Sequence, residues 1–271
     1  MGARAKSWTR SLALVAAGAV LATSVWAVAA KKPLTPAKRA PTPAHSIRDT
    51  GVGLPRIGSA GTLGIGEFTT AVSDYHDSGG YAQDLAAVDG EAQAFMERQA
   101  KAVREKAKRK CGKKPKKSKA CPKPKLAIVL DIDETSLSNY QELSATNFSG
   151  AAAALVSAVV TADSPAIGPT LQLYQRARQL GIAVFLVTGR PPGVETLTRQ
   201  NLTSAGYTDI AGLYQKPSSE ATIAFKSNAR ATIEAVLGYR IIANVGDQES
   251  DLTGGFADRS FKLPNPFYFI E

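Results

Sequence analysis

The run LAIVLDIDET, residues 126–135, constrains the fold more than any other stretch, because an uninterrupted apolar segment leads straight into two carboxylates, Asp131 and Asp133, and a hydroxyl, Thr135. Five apolar residues in a row are short for a helix and suit a strand buried on both faces, as in a parallel sheet. The C-terminal ends of such strands are where open α/β sheets place their chemistry. Asp131 falls at the end of the strand and Asp133 just past it, where the chain begins to turn, so both carboxylates can reach one site. That pairing suits phosphoryl transfer.

Two further apolar runs end in the same way. Residues 182–187 lead into Thr188, Gly189 and Arg190, and residues 240–245 lead into Gly246, Asp247 and, shortly after, Asp251. Between and around them the three- and four-residue spacing of apolar positions predicts helices at 80–109, 151–160, 170–180, 194–205 and 220–237, with a weak strand at 210–214. Gly181 stops the third of these helices. Strands alternating with helices imply an α/β fold: a three-layer, Rossmann-like parallel sheet with helices on both faces. A small helical cap follows the first strand, and a helical extension precedes it. In such a sheet all three polar strand ends share one edge. A lone Asp-x-Asp-x-Thr is modest support, since aspartates begin turns and threonine caps helices; the convergence of three ends outweighs it. No internal repeat is visible.

The chain carries a formal charge of +10, but residues 101–125 alone hold thirteen Lys and Arg against one acid, a local +12. Residues 1–30 add +3, while 31–100 and 126–271 come to −1 and −4. The basic character therefore belongs to one insertion, about 104–125, and not to the segment that holds the carboxylates. Without interleaved aromatics this run does not read as a specific nucleic-acid site. A polyanionic cell-surface contact through 101–125 is the expectation that its charge allows, against the simpler reading of a solvated loop.

At the N-terminus Arg4, Lys6 and Arg10 precede an uncharged, Ala-rich run over 11–30 that closes on Ala27, Val28, Ala29 and Ala30. This reads as a signal peptide over 1–30 and hence a secreted or cell-surface protein, with a retained membrane anchor as the alternative. Residues 31–66 have the Pro- and Gly-rich composition of a lead-in, and 67–271 form the folded domain. Oligomeric state is not legible. Cys111 and Cys121 bracket the basic insertion, and in an exported chain a disulfide between them is the expectation. Without nearby histidines they are poor zinc ligands.

Beyond these patterns, the chain resembles the haloacid dehalogenase-like superfamily, and within it the secreted acid phosphatases of subfamily IIIB, which include plant acid phosphatases and vegetative storage proteins. The resemblance rests on YHDSGGYAQDL at 75–85, DIDETSLSN at 131–139, VTGR at 187–190, FKSNAR at 225–230, NVGDQESDL at 244–252 and FKLPNPFY at 261–268. It covers most of 67–271. What it implies is a secreted, magnesium-dependent phosphoric monoester hydrolase acting on a small phosphomonoester. Asp131 looks like the nucleophile that forms an aspartyl-phosphate, and Asp133 like the group that protonates the leaving oxygen and then takes a proton from water.

A carboxylate approaching a phosphate dianion is repelled by about 4 kcal/mol per charge pair at 4 Å and an effective dielectric near 20, so a cation must lie between them. Mg2+ fits as a hard ion taking carboxylates, water and a substrate oxygen. By the resemblance Asp131 and Asp247 look like its side-chain ligands. Asp133 adds its backbone carbonyl, and Asp251 binds through water or orients the shell. Thr188, with the N–H of Gly189, and Lys226 look like the holders of the phosphoryl oxygens; Lys216 is the competing lysine. Arg190 either steers an anionic substrate or pairs with a surface acid.

His45 and His76 lie on no strand end, which disfavours a phosphohistidine. Glu134 and Glu249 flank the aspartates and are expected to point elsewhere, and Tyr81 and Asp84 to serve packing and capping. The competing reading is a non-catalytic exported protein of the same fold that binds polyanions through its basic insertion.

Overall fold

A computed structural model describes residues 65–112 and 123–270. Helices α1 (Ile65–Asp77) and α2 (Gly80–Gly112) precede strand β1 (Leu126–Leu130). Helices α3 (Tyr140–Ala145), α4 (Ala151–Thr161) and α5 (Gly168–Gln179) lead to β2 (Ala183–Thr188). Then come α6 (Glu195–Ser204), β3 (Gly212–Gln215), α7 (Thr222–Ala235), β4 (Arg240–Gly246), α8 (Glu249–Leu252) and β5 (Ser260–Lys262). The strands form one sheet in the order β3-β2-β1-β4-β5, every neighbour parallel. The chain works outward from β1 in one direction and then returns to pair β4 on its other side. The gap between the C-terminal ends of β1 and β4 is therefore the switch point where such sheets open a crevice.

Period-two alternation divides the strand side chains between two apolar layers. Leu126, Ile128 and Leu130 of β1 join Val184 and Leu186 of β2 in a core shared with α1, α2 and α5. Ala127, Val129, Phe185 and Val187 face the other way, against Phe225, Ala229 and Ile233 of α7. All five residues of β1 are buried, which is why the segment reads as an unbroken apolar run and not as an alternating one.

Helix α2 runs to Gly112, three residues past the end that the pattern predicts, so the first half of the basic segment, 101–112, is helix. Ala, Lys, Arg and Glu dominate this stretch and are strong helix formers, and cations near a helix C-terminus meet the negative end of its dipole. Arg104 anchors the extension by donating to the Leu180 carbonyl at 2.6 Å, just ahead of β2. The insertion thus leaves and rejoins at the N-terminal edge of the sheet. Cys121, the leader, the lead-in up to residue 64, and His45 with them, lie outside the described residues. Among the described residues no helix is long and apolar enough to cross a membrane.

The contact between α2 and α5 includes a buried acid. Asp89 accepts a hydrogen bond from Thr170 at 2.8 Å, and burial pushes its carboxyl up to about 7, the Thr170 bond opposing only in part. A folded-state value above the unfolded one means that the unfolded chain gives up its proton first. Stability from this group is full below about pH 4 and falls as pH rises towards about 7. The gap from 3.8 to about 7 corresponds to about 4 kcal/mol. Asp89→Asn should flatten the pH dependence of urea midpoints across that window, and an unchanged slope would contradict the assignment.

Candidate active site

Three strand ends deliver the polar residues to one crevice. Asp131 directly follows β1, its N–H donating to the Val245 carbonyl of β4 at 3.0 Å, and Asp247 follows β4. After β1 the chain turns sharply: the N–H groups of Thr135, Ser136 and Leu137 converge on the Ile132 carbonyl, and Glu134 adopts φ 51°. A non-glycine residue in the left-handed region is costly and persists only where its surroundings hold it. Here they do. The Glu134 carboxyl accepts from the Asn139 backbone N–H at 2.6 Å, from Asn139 Nδ2 at 3.1 Å and from the Tyr268 hydroxyl at 3.0 Å. Glu134 is thus buried beneath the turn, outside the cluster of Asp131, Asp247 and Asp251. Burial, outweighing the bonds from Asn139, pushes it up to about 8, so at neutral pH it adds little charge.

Asp131, Asp247 and Asp251 present carboxylate oxygens within 4.8 Å of one another, all buried. Lys226, buried on α7, donates to Asp131 Oδ1 at 2.8 Å and to Asp251 Oδ1. Asp251 can stand this close only because position 246 is glycine, where a Cβ would overlap the Asp251 side chain. Its Oδ2 also accepts the Gln248 N–H at 2.8 Å, which caps the short helix α8. Asp247 is fixed by Thr135 at 3.1 Å, Gln248 Nε2 at 2.6 Å and Asn265 Nδ2 at 2.7 Å. Arg230, quoted in the sequence motif without a role, holds the α8 loop by donating to the carbonyls of Asp251, Thr253 and Gly255.

Arg190 does not pair with a surface acid. It grips Asp133, with Nη2 2.7 Å from Oδ1 and Nε 3.1 Å from Oδ2. Burial alone would raise Asp133, but the guanidinium and the Asn139 amide, 2.9 Å away, outweigh it and hold the carboxyl below its usual range. Arg190 Nη1 is buried with no partner among the described residues, a donor left for an anion. Thr188 is wholly buried, and its hydroxyl oxygen accepts the Arg190 backbone N–H at 3.1 Å. Asp131, Asp133, Gly189, Arg190, Lys226 and Asp247 all line one cavity of about 270 Å³.

The charges at this rim do not cancel. Four carboxylates, Asp131, Asp133, Asp247 and Asp251, face two cations, Lys226 and Arg190. Burial and then the Asp251 charge push Asp131 well up, and the same two causes bring Asp247 to about 6. With all four ionised, the excess is two negative charges on hard oxygen donors, which is what a small divalent cation matches. The residues present therefore fit Mg2+. When bound, such an ion supplies charge neutralisation and Lewis acidity towards a phosphoryl oxygen.

Several of the other expectations meet specific partners. Lys216 lies on the cavity wall but spends its ammonium on the carbonyls of Glu220, at 2.9 Å, and Pro217, at 3.3 Å, which leaves Lys226 as the lysine among the aspartates. His76 is half-buried, stacks on Tyr140 and pairs with Asp77 at 2.7 Å, away from the carboxylates. Tyr81 packs at 5.0 Å from the Phe267 ring, and Asp84 accepts from the Tyr75 hydroxyl at 2.7 Å. Asn139, Asn265 and Ser250 were not anticipated. Ser250 lies on the cavity wall with a buried hydroxyl that has no partner among the described residues.

A parallel sheet whose switch-point strands end in buried aspartates, with a helix-borne lysine joining the first of them to a third acid just beyond, defines a phosphoryl-transfer class of α/β protein. The chain belongs to the HAD superfamily, subfamily IIIB (Acid phosphatase), whose family model matches residues 64–271. Among curated proteins it is 39% identical to acid phosphatase 1 of Solanum lycopersicum over 150 residues, covering 52% of this chain and 58% of that protein. It is 32% identical to vegetative storage protein 1 of Arabidopsis thaliana over 148 residues, covering 52% of this chain and 54% of the relative. The chain thus spans just over half the length of these curated relatives. The class C acid phosphatase from Bacillus anthracis is similar in structure, with a TM-score of 0.46 and 20% identity, over 70% of this chain and 86% of that one.

Proposed function

We propose that this protein is a magnesium-dependent acid phosphatase that hydrolyses small phosphomonoesters through an aspartyl-phosphate on Asp131. The observation that carries the reading is the gathering of Asp131, Asp247 and Asp251 within 4.8 Å at the switch point, with Lys226 bridging Asp131 and Asp251. Asp131, Asp247 and the Asp133 carbonyl would hold Mg2+, with Asp251 orienting the shell. Asp131 attacks phosphorus, and the ester oxygen leaves. Lys226, the Thr188 hydroxyl and the Gly189 N–H stabilise charge on the phosphoryl oxygens, and the free Nη1 of Arg190 supplies a further donor. Asp133 protonates the leaving oxygen and then accepts a proton from the attacking water. The Arg190 clamp favours its ionised form, so an acidic medium, or transfer of Arg190 to the substrate, is what readies it for the first of these steps.

The test is phosphate release from an aryl phosphate by the full chain, with Mg2+ and after chelation. Activity restored on adding Mg2+ supports the reading; no release with any divalent ion, or equal release with chelator, overturns it.

The rest of the chain completes the proposal. Residues 1–30 direct export or anchor the protein at the cell surface, 31–66 form a lead-in, and 67–271 the phosphatase domain. Cys111 is not a free cysteine, which supports a bond to Cys121 closing the basic insertion. The storage-protein relative and the exposed lysines and arginines at the end of α2 favour one second reading: a non-catalytic protein that binds polyanions through 101–125. Substitution of Asp131 separates the two.

A further inference from the structure

From the composition of the cavity wall we infer that this site selects phosphomonoesters with an apolar, unhydroxylated leaving group, an inference that rests on the phosphatase reading above. The cavity that has Asp131 and Asp133 at its floor is walled by Leu155, Val156, Val159 and Val160 of α4, with Val194 and Ile270 beside them. The inner face of α4 is closed by Ala154 and Ala158, which are buried in the fold, whereas Val156 and Val160, one helical turn apart, remain 64% and 61% exposed. Two exposed β-branched side chains aligned on an otherwise Ala-rich helix have no role in holding that helix. They form an apolar ramp opening from the phosphoryl floor, and an exposed apolar patch continuous with a cleft marks a contact surface.

The α4 side of the wall, all apolar, offers nothing to a hydroxylated leaving group; the polar lining residues Thr222, Gln248, Ser250 and Tyr268 come from other segments. Lys216 on the wall is already saturated by the carbonyls of Glu220 and Pro217. A sugar or glycerol moiety lying against the valines would give up hydrogen bonds to water and recover few of them. An alkyl or aryl group would lose nothing and would bury apolar area. The phosphoryl group fixes the direction. With its oxygens on Lys226 and Arg190 and its ester oxygen within reach of Asp133, the leaving group occupies the same cavity that α4 walls.

The experiment compares kcat/KM for n-alkyl phosphates from ethyl to hexyl, whose leaving groups are of similar basicity, with glycerol 1-phosphate and glucose 6-phosphate, using the full chain with Mg2+. The expected result is a rise of roughly fourfold per methylene up to about butyl. Propyl phosphate should exceed glycerol 1-phosphate by about tenfold or more. The electron-withdrawing hydroxyls make glycerol the better leaving group, so chemistry alone would order that pair the other way. In the Val156→Asn/Val160→Asn double variant the hexyl-to-ethyl ratio should fall towards one. This ratio is taken within one preparation and is insensitive to partial unfolding. A flat series, a preference for the hydroxylated esters, or a ratio unmoved by the double variant overturns this inference while leaving the phosphatase intact. No phosphate released from any ester overturns the phosphatase reading itself.

Discussion

Asp131→Asn should lower kcat for phosphate release by about 10⁴-fold or more, because an amide cannot form the acyl phosphate and removal of a nucleophile abolishes the covalent route. The same change should not destabilise the protein. Burial and the neighbouring Asp251 push Asp131 well up, so its ionised form is disfavoured in the folded chain when no cation is bound. The linkage follows from that direction: a raised folded-state value makes the group's contribution favourable in acid and lost as pH rises. In metal-free buffer at neutral pH the asparagine variant is therefore expected to unfold at an equal or higher urea concentration than the parent. Activity within tenfold of the parent would remove Asp131 from the chemistry. Retained binding of a polyanion, such as heparin, alongside lost hydrolysis would show that the basic segment acts independently.

Lys226→Met has the opposite signature, losing both stability and rate. The lysine is buried; desolvation pulls its ammonium down, but Asp131 and Asp251 outweigh this and hold it charged. Removing it strands two carboxylates in the interior, where breaking a buried pair costs about 3–5 kcal/mol. It also removes a donor to the phosphoryl oxygens, worth about 10²–10³ in kcat. The loss of stability should shrink as pH falls towards the ordinary aspartate value of 3.8, because the stranded acids then carry protons in the folded and the unfolded chain alike. Urea titrations at two pH values, with phosphate assays alongside, check both parts. A stable but inactive variant would show that Lys226 acts on substrate alone, and an active one would remove it from the site.

The strands were legible where burial was complete. Residues 126–130, an unbroken apolar run, and 240–246, apolar apart from Arg240 and Asn244, lie in or beside the centre of the sheet, and their bounds are legible to within a residue or so. Strand β3 is half-buried at every position on one edge, and its prediction slipped by about two residues. Strand β5, three residues on the other edge, has a single buried side chain, Phe261, and left no periodic trace. Helix α1 begins within the segment read as lead-in, though Val72 and Tyr75 join the main core. Charged catalytic candidates could be named because strand ends announce them. The residues that aim them could not. Asn265 and Arg230 act through bonds to Asp247 and the α8 loop, 18 and 21 positions away, and Asn139 through a turn whose shape brings it back onto Glu134 five residues earlier. The choice of Asp133 over a surface acid as the partner of Arg190 is of the same kind, since it spans 57 positions.

The claim on which the rest depends is that Asp131 receives the phosphoryl group. Acid quenching of the full-length protein during turnover with Mg2+ and an aryl phosphate, followed by peptide mass analysis, reads this directly. One phosphoryl group on the peptide bearing Asp131, absent from the Asp131→Asn variant, is the predicted result. Phosphoryl label on a different residue would contradict the account.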